Sequence, residues 1–318
     1  MQLTRRSFSA AALGGLVASS VPALAKAPLA GRQAPAVYRQ NVGAFEVTVL
    51  KDGWLPIDAK NFTGDAEGAA RLLAAAFQST PTPTSVNEWL VNTGDKLVLV
   101  DTGTSNVFAP TLGRLPASLA AAGVSADAVD AVILTHMHPD HAAGLLTPSK
   151  AVAFPNASIH VNAAEYAFWT SAEMAAAAPE SSRGFFAIAQ AAIKRYADAG
   201  RVTTFKDGTE ILPGFTAVEA LGHTPGHTMI RLSSDGRDLL LWGDIVHNFA
   251  LQFAEPQRSI AFDTDGATAL ASRLRVLDMA SADKLMIAGS HLPFPGLGHV
   301  AKAGSGYAYV PASWTADL

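Results

Sequence analysis

The sequence predicts a single α/β domain. Short apolar runs typical of buried strands alternate with longer segments in which apolar residues recur at helical spacing. Apolar residues make up 49% of the 318 residues, which is enough to build a large hydrophobic core. Residues 26–318 contain no long low-complexity linker and no internal repeat, so we expect them to form one domain.

The first 25 residues resemble a twin-arginine export signal. Arg5 and Arg6 precede a weakly apolar stretch at 10–21, and an A-x-A cleavage site ends at Ala25. The apolar stretch is too short and too rich in Ala, Gly and Ser to span a bilayer stably. We therefore expect a cleaved signal at residues 1–25 and a periplasmic mature protein. An uncleaved anchor or an ordinary amphipathic N-terminus is the alternative.

The other elements follow from periodicity and turn residues. After an extended lead-in at 31–42, residues 45–50 alternate as a strand does, and 51–53 are expected to turn it. Residues 86–91 and 96–100 predict a hairpin. Further strands are predicted at 129–134, 158–161, 215–220, 238–242 and 284–288. Helices are predicted at 66–77, 112–122 (capped by Gly123), 163–178 and 185–199.

A cluster of metal-ligand residue types follows the predicted strand at 129–134. His136, His138, Asp140 and His141 lie within six positions. Side chains at i and i+2 project to the same side of an extended chain, and Pro139 keeps His138 away from helical backbone angles. Imidazoles with a carboxylate suit zinc and similar divalent ions. The alternative is a surface loop that is merely rich in histidine.

This cluster resembles the H-x-H-x-D-H signature of the metallo-β-lactamase superfamily. That resemblance implies the fold of the family, a four-layer αββα sandwich with one or two metal ions at one edge of its paired sheets. Four further segments resemble the family's other motifs and occur in the family's order. They are Asp101-Thr102-Gly103, Gly222-His223-Thr224-Pro225-Gly226-His227-Thr228, Gly243-Asp244 and Gly289-Ser290-His291.

The resemblance also implies a set of metal ligands. The set divides between two ions: His136, His138 and His223 for one, Asp140, His141 and His291 for the other, and Asp244 shared between them. Asp101 and His227 would support the ligands from behind by hydrogen bonds. From the residues alone, an interpretation of Asp101 or Asp244 as an ordinary turn residue stays open.

Such a centre implies a hydrolase in which a hydroxide that bridges two metal ions attacks the substrate. One ion would polarise the electrophile and the other would receive the leaving group. Asp244 would orient the hydroxide, and Asp140 would help to move the proton. The chain has no cysteine, so any metal must be held by His and carboxylate side chains. This ligand set favours Zn²⁺ and also permits Mn²⁺, Co²⁺ or Fe²⁺.

Within the superfamily, the sequence resembles the methyl parathion hydrolase branch, most clearly at 134–141, 222–228 and 288–300. That branch comprises exported, dimeric phosphotriesterases with lactonase and arylesterase relatives. The resemblance therefore implies a homodimer and a small neutral substrate, either a phosphotriester, a lactone or an aryl ester.

A helical pair and four aromatic residues are expected to shape the substrate pocket. The predicted helices at 163–178 and 185–199 interrupt the alternation of strands, and in the family insertions here cover the active site. An aromatic wall for an apolar leaving group is expected from Phe108, Trp169, Phe185 and Phe186. Ordinary core packing is the alternative for each of these residues.

Other functions fit the sequence less well. The net charge is −4 without a Lys/Arg cluster, which gives no electrostatic footprint for nucleic acid, and we expect no stable membrane insertion. A quorum-signal lactonase or a β-lactamase-like hydrolase without phosphotriesterase activity stays open. Glyoxalase II would need a basic patch for glutathione, which the C-terminal third lacks. A diiron redox protein usually carries a flavin domain, for which we see no room, and a structural zinc site is normally closed and mononuclear.

Overall fold

The computed structural model describes residue 27, residues 29–31, residues 33–316 and residue 318. Pro35–Leu318 forms one compact unit. The expected export signal at residues 1–25 lies outside the described residues, so its boundary stays a prediction. Among the described residues, no helix combines the length and the apolar character needed to cross a membrane.

The first of two β-sheets contains seven strands in the described residues, ordered as they occur in the chain. The first four strands are antiparallel neighbours, and the last four are parallel neighbours. The strands are β1 (Val37–Val42), β2 (Phe45–Ile57), β3 (Thr82–Asn92), β4 (Leu97–Val100), β5 (Ala131–Ile133), β6 (Ser158–Asn162) and β7 (Val202–Phe205). The predicted hairpin at 86–100 is confirmed as β3 and β4.

The second sheet also contains seven strands within the described part of the chain. Its neighbours are antiparallel except for β11 and β12, which run parallel. The strands are β8 (Glu210–Leu212), β9 (Phe215–Glu219), β10 (Thr228–Ser234), β11 (Arg237–Leu241), β12 (Met286–Ala288), β13 (Leu297–Ala303) and β14 (Gly306–Pro311).

Helices join these strands and cover the outer faces of the sheets. They are α1 (Ala66–Ala75), α2 (Leu115–Ala121), α3 (Pro139–Ala142), α4 (Ala163–Thr170), α5 (Ala172–Ala177), α6 (Glu180–Asp198), α7 (Phe249–Gln252) and α8 (Gly266–Ala282). Short 3₁₀ turns occur at Ala59–Asn61, Ala126–Ala128 and Ala143–Leu145.

Side-chain alternation along the strands produces the layers. In β4, Val98 and Val100 belong to the core between the sheets, whereas Leu99 belongs to the core beneath the helices. Because both faces of this strand are buried, it is a continuous apolar run in the sequence. Helices α2, α4 and α6 pack on the outer face of the first sheet, and α8 packs on the outer face of the second. The predicted αββα sandwich is therefore confirmed.

Two local predictions were wrong. Residues 51–53 do not turn the chain, because β2 continues to Ile57 through a bulge between Lys51 and Gly53. The bulge turns Asp52 inward, where its carboxylate accepts hydrogen bonds from Thr104 and from the backbone N–H of Leu115. The expected helix at 163–178 is divided, because Ser171 ends α4 and caps α5 with its side chain.

Gly222 tests how closely the loop after β9 packs on α8. Its φ is +115°, and a Cβ placed there would lie 2.0 Å from the backbone nitrogen of Ala269. We expect Gly222→Ala to lower the free energy of unfolding by about 3 kcal/mol or more, measured by urea denaturation in the presence of chelator.

Gly208→Ala is the matched control. Gly208 also has a positive φ, +71°, but a Cβ there would meet no atom within 4 Å. Its substitution should cost only about 1 kcal/mol, for the left-handed backbone alone. Equal losses at the two positions would show that the contact with α8 is not close-packed.

Candidate metal centre

The five predicted motifs meet at one edge of the paired sheets. Asp101 directly follows β4, and the segment from His136 to His141 follows β5. In the second sheet, His223 follows β9, Asp244 follows β11 and His291 follows β12. Loops from both sheets therefore contribute side chains to a single site.

The seven predicted ligands form two adjoining groups. Within each group, one ligand atom from every residue lies within 4.8 Å of the others. The groups are His136, His138, His223 and Asp244, which we call the three-histidine group, and Asp140, His141 and His291, which we call the mixed group.

Asp244 reaches both groups. Its Oδ2 lies 3.2 Å from Nε2 of His223 and 3.1 Å from Nε2 of His291, and its Oδ1 lies 3.2 Å from Nε2 of His141. One carboxylate is thus placed between the donors of two metal sites.

The backbone of the first motif follows the sequence prediction. His138 is extended, with φ −60° and ψ 153°, and Pro139 occupies the first turn of α3. The extended segment directs His136 and His138 to one group, and the helical turn that follows carries Asp140 and His141 to the other. The prediction that Pro139 keeps His138 out of a helix is confirmed.

Asp101 supports the first motif from behind. It has a left-handed φ of +61°, which turns its carboxylate back towards the loop. Its Oδ1 accepts a hydrogen bond from the Thr135 N–H at 2.8 Å, and its Oδ2 lies 2.9 Å from Nδ1 of His141. A bond to this ring nitrogen leaves Nε2 of His141 to face the metal site.

His227 supports Asp244 in a similar way. Its Nδ1 lies 2.9 Å from the Ala220 carbonyl oxygen, and its Nε2 accepts the Asp244 N–H at 3.0 Å. Burial, followed by the nearby His223, lowers the pKa of His227 to about 3, so the ring is neutral. His227 is therefore a hydrogen-bonding support of Asp244.

Burial and the Asp244 charge set the ionisation of the ligands. Burial, reinforced by neighbouring histidines, holds the pKa values of His136 and His138 well below their usual range. Burial also acts to lower the pKa of His223, but Asp244 and Asp263 outweigh it and raise that pKa to about 9. The three-histidine group thus combines two rings whose protonated form burial disfavours with one, His223, whose protonated form its carboxylate neighbours favour.

The donors fit divalent metal ions. Nδ1 of His138 lies 3.1 Å from Nε2 of His136 and 2.9 Å from Nε2 of His223, so nitrogen donors converge on one point. Within the described part of the chain, Nε2 of His141 and Oδ1 of Asp244 are buried without a hydrogen bond. Such nitrogen and carboxylate donors match zinc and related ions, and the two groups can hold two of them.

The sequence reasoning missed two residues of the site. Asp263 supports His223, because its Oδ1 lies 2.9 Å from Nδ1 of that ring. His247 has its Nε2 3.2 Å from Oδ2 of Asp244, and its ring stacks on His291 at 5.0 Å. His247 follows Asp244 by only three positions, which was an available signal, but Asp263 belongs to no motif.

A cavity of about 170 Å³ opens over the ligands. Its floor is formed by His247 and five of the seven ligands, His138, Asp140, His223, Asp244 and His291. Its walls are apolar: Leu55, Ile57, Phe108, Phe185 and Phe262. Among the described residues that line it, none is a Lys or an Arg. The rings of Phe108 and Phe185 meet edge to face, and Phe185 also contacts the ring of His138. The structure thus brings two of the four expected aromatic residues to the pocket.

The other two, Trp169 and Phe186, lie in the core instead of the pocket wall. Each is only 2% exposed, and their rings pack together at 4.6 Å. Consecutive residues of a helix point about 100° apart, so Phe185 and Phe186 cannot both face the cavity. Trp169 contacts His138 from behind, with ring centroids 5.4 Å apart.

A match to a protein-family model that spans the candidate metal centre gives the family assignment. A family model of the metallo-β-lactamase superfamily matches residues 81–291, which include all seven ligands. The chain belongs to the metallo-β-lactamase superfamily. A search of curated proteins gives no match.

Solved structures resemble this member of the superfamily over most of its length. The hydrolase AbOPH in the beta lactamase superfamily is 32% identical with a TM-score of 0.85, over 89% of this chain and 100% of that one. AidC, a dizinc quorum-quenching lactonase, is 29% identical with a TM-score of 0.79, over 88% of this chain and 99% of that one. A probable metal-dependent hydrolase from Staphylococcus aureus shares the fold at 20% identity and a TM-score of 0.70, over 87% of this chain and 100% of that one.

The position of Asp244 between the two groups predicts how metal content responds to substitution. We expect the purified protein to carry about two divalent ions per chain by elemental analysis. Asp244→Asn keeps the shape of the side chain but removes its charge, so both groups should bind metal more weakly and the content should fall below one ion.

Asp95→Asn, at the exposed turn between β3 and β4, is the control and should keep both ions. If the Asp244 and Asp95 variants retain the same metal content, Asp244 does not bridge the two groups.

Proposed function

We propose that this protein is a dinuclear metallohydrolase of neutral, partly apolar esters, namely phosphotriesters, lactones and aryl esters. The observation that carries the proposal is a set of donors for two ions, five of which line an apolar cavity. The similarity to AidC, a dizinc lactonase, and to the hydrolase AbOPH supports it.

Two divalent ions in this centre would supply a hydroxide nucleophile at neutral pH and neutralise charge on the leaving oxygen. The nitrogen-rich donors suit Zn²⁺, with Mn²⁺, Co²⁺ and Fe²⁺ as alternatives. Asp244 contributes a permanent negative charge. Burial acts to raise its pKa, but His141 and His291 outweigh this and hold that pKa well below its usual range. Asp140 lines the cavity, where its carboxylate can accept a proton from the nucleophile or pass one to the leaving group.

The charge of the cavity lining supports a neutral substrate. Apolar walls without Lys or Arg stabilise a neutral, apolar group and offer no counter-charge to an anion. His247 supplies a neutral polar contact at the floor, because burial lowers its pKa to about 4 despite the opposing Asp244 carboxylate. Its imidazole can therefore form a hydrogen bond with a substrate oxygen beside the reacting group.

A lactonase without phosphotriesterase activity is the second candidate function. The dizinc lactonase AidC resembles this chain over nearly all of its own length, which favours a lactone as substrate. A panel of a neutral aryl phosphotriester, a lactone, an aryl ester and a β-lactam separates the candidates. The proposal expects turnover of the first three, and exclusive turnover of the lactone would select the second candidate.

Phe108 provides the test of the pocket. Phe108→Ala removes apolar contact area and leaves the metal ligands in place. The value of kcat/KM for aryl substrates should therefore fall by a factor equivalent to about 1–3 kcal/mol of transition-state stabilisation. Small alkyl esters should be less affected, and metal content should not change.

Phe77→Ala is the control, because Phe77 is 99% exposed and lies outside the cavity lining. If Phe108→Ala lowers kcat/KM for aryl and alkyl substrates by the same factor, the leaving group does not bind against Phe108.

We also propose that the protein is exported to the periplasm by the twin-arginine route. The basis is the Arg5-Arg6 pair ahead of an apolar stretch and an A-x-A site. Replacing both arginines by lysine should trap precursor in the cytoplasm, as judged by fractionation and immunoblotting. Mature protein that still reaches the periplasm would argue for another route.

The proposed quaternary state is a homodimer, by resemblance to the methyl parathion hydrolase branch. Sedimentation equilibrium should give twice the mass of one mature chain, and the mass of a single chain would refute it.

A further inference from the structure

Glu165 is a buried carboxylate that belongs to none of the motifs. It lies in the first turn of α4 and is 0% exposed. Its Oε1 accepts a hydrogen bond from the Met137 N–H at 2.8 Å, and its Oε2 accepts one from the Gly226 N–H at 2.8 Å. One side chain therefore joins two loops that are distant in the sequence.

Both bonds end inside the ligand loops. Met137 stands between His136 and His138, and Gly226 stands three residues after His223. These are the three histidines of the three-histidine group, whose facing nitrogens lie 2.9 to 3.1 Å apart. The two oxygens of Glu165 thus hold together the two backbone segments whose separation sets those distances.

The same carboxylate also accepts a hydrogen bond within α4 from a ring that contacts a predicted ligand. Nε1 of Trp169 donates to Oε1 of Glu165 at 2.6 Å, and the Trp169 ring packs behind His138. Gly226 shows how close the contact is, because a Cβ at this position would lie 2.4 Å from the Glu165 nitrogen. The glycine therefore allows the loop after β9 to lie directly on α4.

Such a group is not what stability alone would select. A buried carboxylate loses its hydration, and hydrogen bonds offset that loss only when the geometry is maintained. The bonds to Met137, Gly226 and Trp169 provide this compensation and connect three separate elements. An apolar side chain could fill the space but could not fix the separation of the two loops.

We propose that Glu165 is a positioning residue that sets the separation of His138 and His223 for one metal ion. This inference rests on the proposed two-metal function. It predicts an effect limited to the three-histidine group, because the mixed group has its own supports. Those supports are Asp101 on His141 and the Ser85 carbonyl oxygen on His291.

Glu165→Gln tests this role with little change in shape. The amide oxygen can accept the hydrogen bond from one loop, but the NH₂ group faces the N–H of the other loop, so one of the two hydrogen bonds is lost. The probe is Cd²⁺, with each site followed by ¹¹³Cd NMR and its affinity measured by chelator competition. The resonance that disappears in His136→Ala identifies the three-histidine group.

The expected result is a loss of about 10- to 100-fold in Cd²⁺ affinity at the three-histidine group, with the mixed group unchanged. Glu173→Gln, an exposed substitution on α5, should leave both affinities unchanged. Val276→Ala, in the core beneath α8, controls for a general loss of stability and should also leave both affinities unchanged. If the Gln variant does not fold, Glu165→Asp replaces it, since it keeps the charge but shortens the reach to both loops.

Three outcomes would overturn the inference. Wild-type affinity at both sites in the Glu165 variant would remove the positioning role, and so would an equal loss at the two sites. The same selective loss of Cd²⁺ affinity in Val276→Ala would show that the loss in the Glu165 variant reflects lower stability and not positioning of the ligands. Wild-type protein that binds a single Cd²⁺ ion would instead refute the two-metal function on which the inference depends.

Discussion

The Asp244 carboxylate is the contact that links the two groups of predicted ligands. It stands within 3.2 Å of histidines from the first motif and from the ends of β9 and β12. Burial of these histidines acts to lower their pKa values, and the Asp244 charge between them opposes it and raises those values. The rest of the site positions this charge: His227 holds the Asp244 backbone, and Asp263 and Asp101 orient the rings around it.

The sandwich makes this arrangement possible because both sheets end their inner strands at the same edge. In the first sheet, β4 and β5 are parallel neighbours, so Asp101 and the first motif, which follow these strands, lie side by side. In the second sheet, β11 and β12 are parallel neighbours, so Asp244 and His291, which follow these strands, also lie side by side. Packing the two sheets face to face then joins the halves of the site. The loops can carry polar residues because the strands beneath them are apolar on both faces.

The parts that the sequence predicted are those with a local signature. The apolar run before His136, the proline after His138 and the glycine at position 123 each impose a structure within a few residues. The orientation of aromatic residues depends on packing between elements, which a local pattern does not show. For this reason Trp169 was predicted to line the pocket, whereas the structure places it in the core. Glu165 and Asp263 act through partners about 30 to 60 residues away, so no spacing rule could reveal them. The strands β7, β8, β10, β13 and β14 and the helices α7 and α8 were not predicted. Short strands recruited by their neighbours carry weak patterns. The buried face of α8 includes Ser272 and Arg273, whereas Leu274 is exposed, so the apolar periodicity of this helix is weak in the sequence.

The proposed function requires two ions to act together on a neutral ester in this centre. The most direct measurement is a titration of Zn²⁺ into metal-free protein while turnover of a neutral aryl phosphotriester and of a lactone is followed. The account predicts that activity is absent without metal and reaches its plateau only when about two equivalents have bound. A plateau at one equivalent, or turnover that persists in excess chelator, would contradict it.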